Sequence, residues 1–275
     1  EKVLPIVTIL TLAATGSEMN KNAVISNMAT NEKLGTSSHY FKPQASICDP
    51  EYMYTLPAKQ TAAGTADILS HIFEQYFQKD SGAYISERFA ESLLKACIKY
   101  CPMALQDPTN YEARANLMWA STQALNSLLT CGKGGGWTRH PIEHELSAYY
   151  DITHGEGLAI ITPRWMRYIL SDETVDKFCE YGRNVWDITE KDKLIECCKN
   201  IDYIFKSTTR ENYKQLMEQI ENDTDEEVMG IFSKKRQYQS TLPSCQNEYV
   251  KPDREMSAKY RKKYKYGGYQ PYATI

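Results

Sequence analysis

Three of the five histidines in this 275-residue chain, His140, His144 and His154, fall in one short window. A neutral imidazole offers one lone pair in a fixed plane and is the commonest protein ligand for transition metals, so the window calls first for a test as a metal site. Ile142, Leu146 and Tyr149 recur at helical intervals, which predicts a helix over 142–149 with Pro141 tolerated only near its first turn. His140 then falls at or just before that turn, His144 one turn on, and His154 at the start of the next element. A fourth donor lies upstream: Asp67 and His71 are four apart in an apolar run, so on a helix they share one face about 5 to 6 Å apart at Cβ. A cation is a natural partner for an Asp buried there. The alternative is a dipole contact near a helix N-terminus beside a packing His.

The same window also fits a hydrolase. His140, Glu143 and His144 have the H-x-x-E-H spacing of a family of zinc peptidases, with Glu143 as general base. Pro141 is awkward in an uninterrupted helix through that motif, and the reading leaves Asp67 and His154 unexplained.

A structure separates the two readings: Glu143 facing a metal-bound water favours the peptidase, and Asp67 within coordination distance favours the other. Separated motifs add a further signal. Thr15-Gly16-Ser17-Glu18, Asp49-Pro50, Thr55-Leu56-Pro57, Gly64-Thr65-Ala66-Asp67 with His71, Gly135-Gly136-Trp137 with His140, His144-Glu145-Leu146 and His154-Gly155 follow one another in order. Together they resemble the iron-containing (group III) alcohol dehydrogenases, in the branch of NAD(P)H-dependent butanol dehydrogenases and aldehyde reductases, from about residue 3 to about residue 206. The resemblance implies that Asp67, His71, His140 and His154 ligate a metal, and one oxygen with three nitrogens suits Fe(II) or Zn(II). It also implies NADH or NADPH as cofactor, faced by Thr11, Thr15, Ser17, Asn20 and Lys33, although Asn31 and Glu32 beside Lys33 depart from the family's loop. The expected substrate is a small aldehyde or primary alcohol. His144, one turn from His140, is expected to line the pocket and relay a proton, or to hydrogen-bond behind the ligands. The full-length family is expected to form homodimers.

The elements that must position these residues are mainly helices. The resemblance implies the helical metal-binding domain of the dehydroquinate synthase-like and iron alcohol dehydrogenase fold, preceded by a few strands left from an α/β nucleotide-binding domain. A buried strand is read over 3–12, ending in the small-residue loop 13–20, with further strands over 23–26 and 44–48. Helices are expected over 58–77, 85–101, 111–129, 142–149, 158–170, 174–185 and 191–205, with Pro102 stopping the second. Gly64 is expected to let another backbone approach the Asp67 turn, and Gly132-Lys133-Gly134-Gly135-Gly136 to act as a hinge rather than a phosphate loop. The expected division is therefore 1–56 as remnant strands and cofactor-facing loop, 57–206 as the helical catalytic domain, and 207–275 as a divergent polar, basic segment whose Lys/Tyr-rich end is read as a disordered or loosely docked tail in preference to a single-stranded nucleic-acid binder.

Charge and composition narrow the class. A net charge of -3 from 32 basic and 35 acidic residues points to neither nucleic acid nor an acidic membrane surface. Eight scattered cysteines without a C-x-x-C read as reduced thiols, and no apolar run approaches membrane-spanning length, so a cytoplasmic protein is expected. Nothing here corresponds to the family's glycine-rich pyrophosphate turn. The chain is accordingly expected to be the C-terminal portion of a dehydrogenase with little or no hydride transfer of its own, and a non-catalytic metal-binding helical fragment is the remaining alternative.

Overall fold

The computed structural model describes residues 3–78, 82–131, 133, 136–171 and 173–188. Strand β1 (Val7–Ile9) opens the fold, followed by β2 (Asn22–Asn27), β3 (Glu32–Ser37) and β4 (Ala45–Ile47). β1 and β4 pair in parallel with Thr8 opposite Ser46, and the Thr8 hydroxyl donates to the Ser46 hydroxyl at 2.8 Å. Only three residues of the expected 3–12 strand are in the ladder; Pro5 has no N–H to give, and the chain turns away after Leu10 donates to the Ile47 carbonyl. β2 and β3 form an antiparallel hairpin whose turn ends with Asn31 in the left-handed region at φ 50°. β3 was not expected, because Glu32, Lys33, Gly35, Thr36 and Ser37 carry no apolar alternation; partner and turn make this strand.

Six helices follow among the described residues: α1 (Ala58–Tyr76), α2 (Tyr84–Gln106), α3 (Tyr111–Leu125), α4 (Arg139–Tyr150), α5 (His154–Ile169) and α6 (Val175–Trp186). The fold is mainly α, as expected. Every residue of α1 from Thr61 to Tyr76 is buried, with α2, α3 and α5 packed around it. Ile68, Ile72 and Phe73 anchor the core, each contributing on the order of 2 kcal/mol by leaving water. Small residues let neighbours come close. A methyl group on Gly64 would overlap the Ala13 carbonyl, and one on Gly155 at the start of α5 would overlap the Ala63 carbonyl. The loop 13–20 and α5 both therefore lie directly on α1.

Pro102 does not stop α2, which runs on to Gln106. Its ring lies on the exposed face while Cys101 and Ala104 remain buried, so burial carries the helix past the missing hydrogen bond. α3 starts at Asn110, whose side chain accepts from the Ala113 N–H at 2.9 Å. α4 begins earlier than expected and includes His140, with Pro141 in its first turn. It ends at Asp151 in the left-handed region (φ 51°), and the turn that follows starts α5 at His154. Cys48, Cys97, Cys101, Cys131 and Cys179 are free thiols. No helix among the described residues is long and apolar enough to cross a membrane. The helix expected over 191–205 and the Lys/Tyr-rich end lie outside the described residues.

Candidate metal centre

Three helices meet at Asp67. It lies in the middle of α1, His140 in the first turn of α4, and His154 at the start of α5, where the close approach at Gly155 brings that helix end onto α1. Asp67 Oδ1 has His71 Nε2 at 3.5 Å, His140 Nε2 at 3.5 Å and His154 Nε2 at 3.6 Å. Donor atoms of Asp67, His140 and His154 all lie within 4.8 Å of one another, and His71 stands beside them with its ring stacked on His140 at 4.6 Å. Trp137 closes one wall, edge-on to both His71 and His140. Asp67, His71 and His140 are buried, whereas the His154 side chain is 25% exposed, so the centre opens on the side of α5.

A residue the sequence reading passed over organises the cluster from behind. Glu74 is seven after Asp67 and three after His71, on the same stripe of α1, and its side chain is fully buried. Oε1 accepts the backbone N–H groups of Thr138 at 2.7 Å and Arg139 at 2.5 Å, serving as the cap that α4 lacks locally. Oε2 is hydrogen-bonded to His140 Nδ1. The available signal was a Glu on the same helical stripe as Asp67 and His71. Glu143 is likewise fully buried, with Oε2 on His154 Nδ1 and Lys33 Nζ at 3.9 Å. The candidate peptidase base thus supports an imidazole instead of facing a solvent-filled cleft.

Electrostatics follow from this packing. Burial would raise the Asp67 carboxyl, but the imidazoles of His71, His140 and His154 outweigh it and hold Asp67 below the usual carboxylate range. Burial pushes His71 down to about 3, leaving a neutral ring with a lone pair at neutral pH. In His140 the facing Asp67 and Glu74 outweigh burial and raise the imidazole. Burial opposes ionisation of Glu74, yet His140 and Arg139 bring it down to about 2. Arg139 is completely buried behind the cluster, donating to Thr162 Oγ1 at 2.9 Å and to the Ser70 carbonyl, and burial lowers it only to about 10. Three buried carboxylates, Asp67, Glu74 and Glu143, thus face the two cations Arg139 and Lys33, which leaves a negative pocket.

The donors fit a divalent cation on one observation in particular. Asp67 Oδ1 and His140 Nε2 are buried and have no hydrogen-bond partner among the described residues, although each faces the other across 3.5 Å. Unpaired buried polar atoms are costly, and a shared ion satisfies both.

The other expected site residues spread around this centre. His144 lies one turn beyond His140, its ring 5.3 Å from that of His154, and its donor atom forms a second possible cluster with Glu143 and His154. Lys33, on β3, donates to Ser147 Oγ on α4 at 2.8 Å, tying the hairpin to the helix that carries His140. Thr11, Thr15 and Ser17 are exposed. Asn20 is buried, its amide donating to the Thr15 and Gly16 carbonyls at 2.8 Å, so it shapes the loop 13–20 from within.

A helical domain surrounds one carboxylate with imidazoles from three helices, beside short strands and a small-residue loop, and these donors could hold a divalent cation. The family model "Fe-containing alcohol dehydrogenase family, C-terminal" matches residues 61–229, and "Iron-containing alcohol dehydrogenase" matches residues 1–50. The chain belongs to the iron-containing alcohol dehydrogenase family. It is 55% identical over 215 residues to NADH-dependent butanol dehydrogenase A of Clostridium acetobutylicum, covering 78% of this chain and 54% of that protein. It is 62% identical over 191 residues to NADH-dependent butanol dehydrogenase B of the same organism, covering 70% and 49%. The crystal structure of NADH-dependent butanol dehydrogenase A from Thermotoga maritima superposes with a TM-score of 0.71 at 41% identity, over 76% of this chain and 52% of that one. The chain spans about half the length of these relatives.

Proposed function

We propose that this chain carries the metal centre of an NAD(P)H-dependent alcohol dehydrogenase or aldehyde reductase that moves hydride between a nicotinamide and a small aldehyde or primary alcohol. Three imidazole nitrogens facing one orphaned carboxylate oxygen carry the proposal. Asp67, His140 and His154, with His71, would hold Fe(II) or Zn(II). The ion supplies a Lewis acid for the oxygen of the alcohol or aldehyde. The names of the relatives favour NADH as the hydride carrier.

The residues of the chain do the rest. Trp137 and the buried α1 face exclude water on the closed side, while the partly exposed His154 and neighbouring His144 leave an entry for substrate. His144 holds the proton that the substrate oxygen gains or loses. The exposed Thr11, Thr15 and Ser17 contact the nucleotide on a loop that Asn20 keeps in shape, with Lys33 on the adjacent hairpin. In this reading residues 1–56 serve the cofactor, 57–206 form the catalytic domain, and assembly is as a homodimer.

The test is anaerobic reconstitution with Fe(II), then aldehyde reduction assayed with NADH and with NADPH. Any turnover must need the metal and vanish in Asp67→Ala. Turnover that persists without metal, or failure of both Fe(II) and Zn(II) to bind, overturns the proposal. An unchanged pH profile in His144→Ala removes that residue from proton transfer.

A further inference from the structure

The two carboxylates behind the metal centre are arranged alike. Glu74 reaches His140 Nδ1 from α1, and Glu143 reaches His154 Nδ1 from α4; both side chains are completely buried. Each carboxylate holds its imidazole through Nδ1, which turns Nε2 toward Asp67 Oδ1. A ring free to rotate would present the wrong nitrogen part of the time. The two oxygens of Glu74 are both committed, one to the first N–H groups of α4 and one to His140. Its position and that of α4 are therefore set together.

Glu143 has a different support. A methyl group built on Gly157 of α5 would lie 2.7 Å from Glu143 Oε1 and 2.9 Å from its Cγ. Glycine at 157 leaves the room that Glu143 needs to reach back over α5 to His154. Alanine would favour the helix itself by about 1 kcal/mol while crowding this carboxylate.

We infer that Glu74 and Glu143 are positioning residues for the metal, each fixing the tautomer and ring plane of one ligand imidazole, and that Gly157 is the space that lets Glu143 do so. The inference rests on the proposed metal centre and adds to it the residues that set its affinity. Outer partners of ligand histidines typically change metal affinity by about 10- to 100-fold.

The experiment loads the full chain with Co(II), reads the visible ligand-field spectrum, and measures Kd by competition with a chelator. Wild type is compared with Asp67→Ala, Glu74→Gln, Glu143→Gln and Gly157→Ala. Asp67→Ala is expected to lose the site. The other three are expected to bind about 10- to 100-fold more weakly with an altered spectrum. A purely structural role would lower the unfolding temperatures of the apo and loaded forms together and leave Kd and spectrum unmoved. Should Glu143→Gln fail to fold, Gly157→Ala, which removes no charge, decides for that carboxylate; should Glu74→Gln fail to fold, Glu74→Asp, which keeps the charge but shortens the reach to His140 Nδ1, decides for the other. Wild-type affinity and spectrum in Gly157→Ala and in every Glu variant that folds overturn the inference while leaving the metal centre standing. No Co(II) binding by wild type overturns both.

Discussion

Helix α1 touches two clusters of charged side chains, and they are built on different plans. Near its C-terminal end the Tyr76 hydroxyl donates to Glu91 Oε1 at 2.6 Å, and Arg88 at 2.6 Å and Asn184 at 3.0 Å donate to the same oxygen. Arg88 also pairs with Glu180, and Lys177 bridges Glu180 and Glu87 at 2.7 Å each. Every one of these carboxylates faces a cation, so the charges pair among themselves, while Glu87 Oε1 and Arg88 Nε make no hydrogen bond. At Asp67 the plan differs: an acceptor oxygen and a ring nitrogen face each other with no hydrogen bond made. The closed cluster fastens α2 and α6 to α1. The open one leaves unmet a need that a cation can satisfy, at a cost to the stability of the ion-free fold.

Mutations should separate the two plans. Asp67→Ala has the largest expected effect: a metal present at 1,000 times its Kd stabilises the wild type by about 4 kcal/mol, and the variant should lose that whole increment. Thermal unfolding with and without Fe(II) or Zn(II) measures it. Glu91→Ala should instead cost about 2 to 3 kcal/mol, because it strands Arg88, Asn184 and the Tyr76 hydroxyl, and the cost should be equal in apo and loaded protein. A metal-dependent difference in Glu91→Ala would show that the clusters are not independent. Tyr76→Phe removes one hydrogen bond from the same oxygen and should cost about 1 kcal/mol in denaturant unfolding, again without changing metal affinity.

The smallest effect tests the charge of the closed cluster. Burial would raise Glu180, but Lys177 and Arg88 outweigh it and hold it below 4.5. Its contribution is thus present above pH 4.5 and fades as pH falls through the lower folded value. Solvent reaches this group, so the contribution should stay below about 1 kcal/mol. Urea unfolding of Glu180→Gln should show a slightly shallower loss of stability below pH 4.5 than wild type.

Local pattern made some of this legible. Asp67 and His71 announced themselves by helical spacing, and the helices around them followed from apolar periodicity. What pattern missed depends on distant segments meeting. Glu74 shares the Asp67 stripe, but its work is done on the start of α4, more than sixty residues away in sequence. Glu143 fits a peptidase motif locally, and only the left-handed turn at Asp151 brings His154 back onto it. His71 faces Asp67 Oδ1 at 3.5 Å and stacks on His140, a contact that local spacing does not show. Strand β3 and the passage of α2 through Pro102 are likewise tertiary outcomes, fixed by a hairpin partner and by burial of the opposite helix face.

Anomalous diffraction from crystals soaked in Zn(II) tests the central claim most directly. The account predicts one strong peak touching Asp67 Oδ1, His140 Nε2 and His154 Nε2. A peak held by Glu143, His144 and His154 with Asp67 uninvolved, or no peak among these helices, would contradict it.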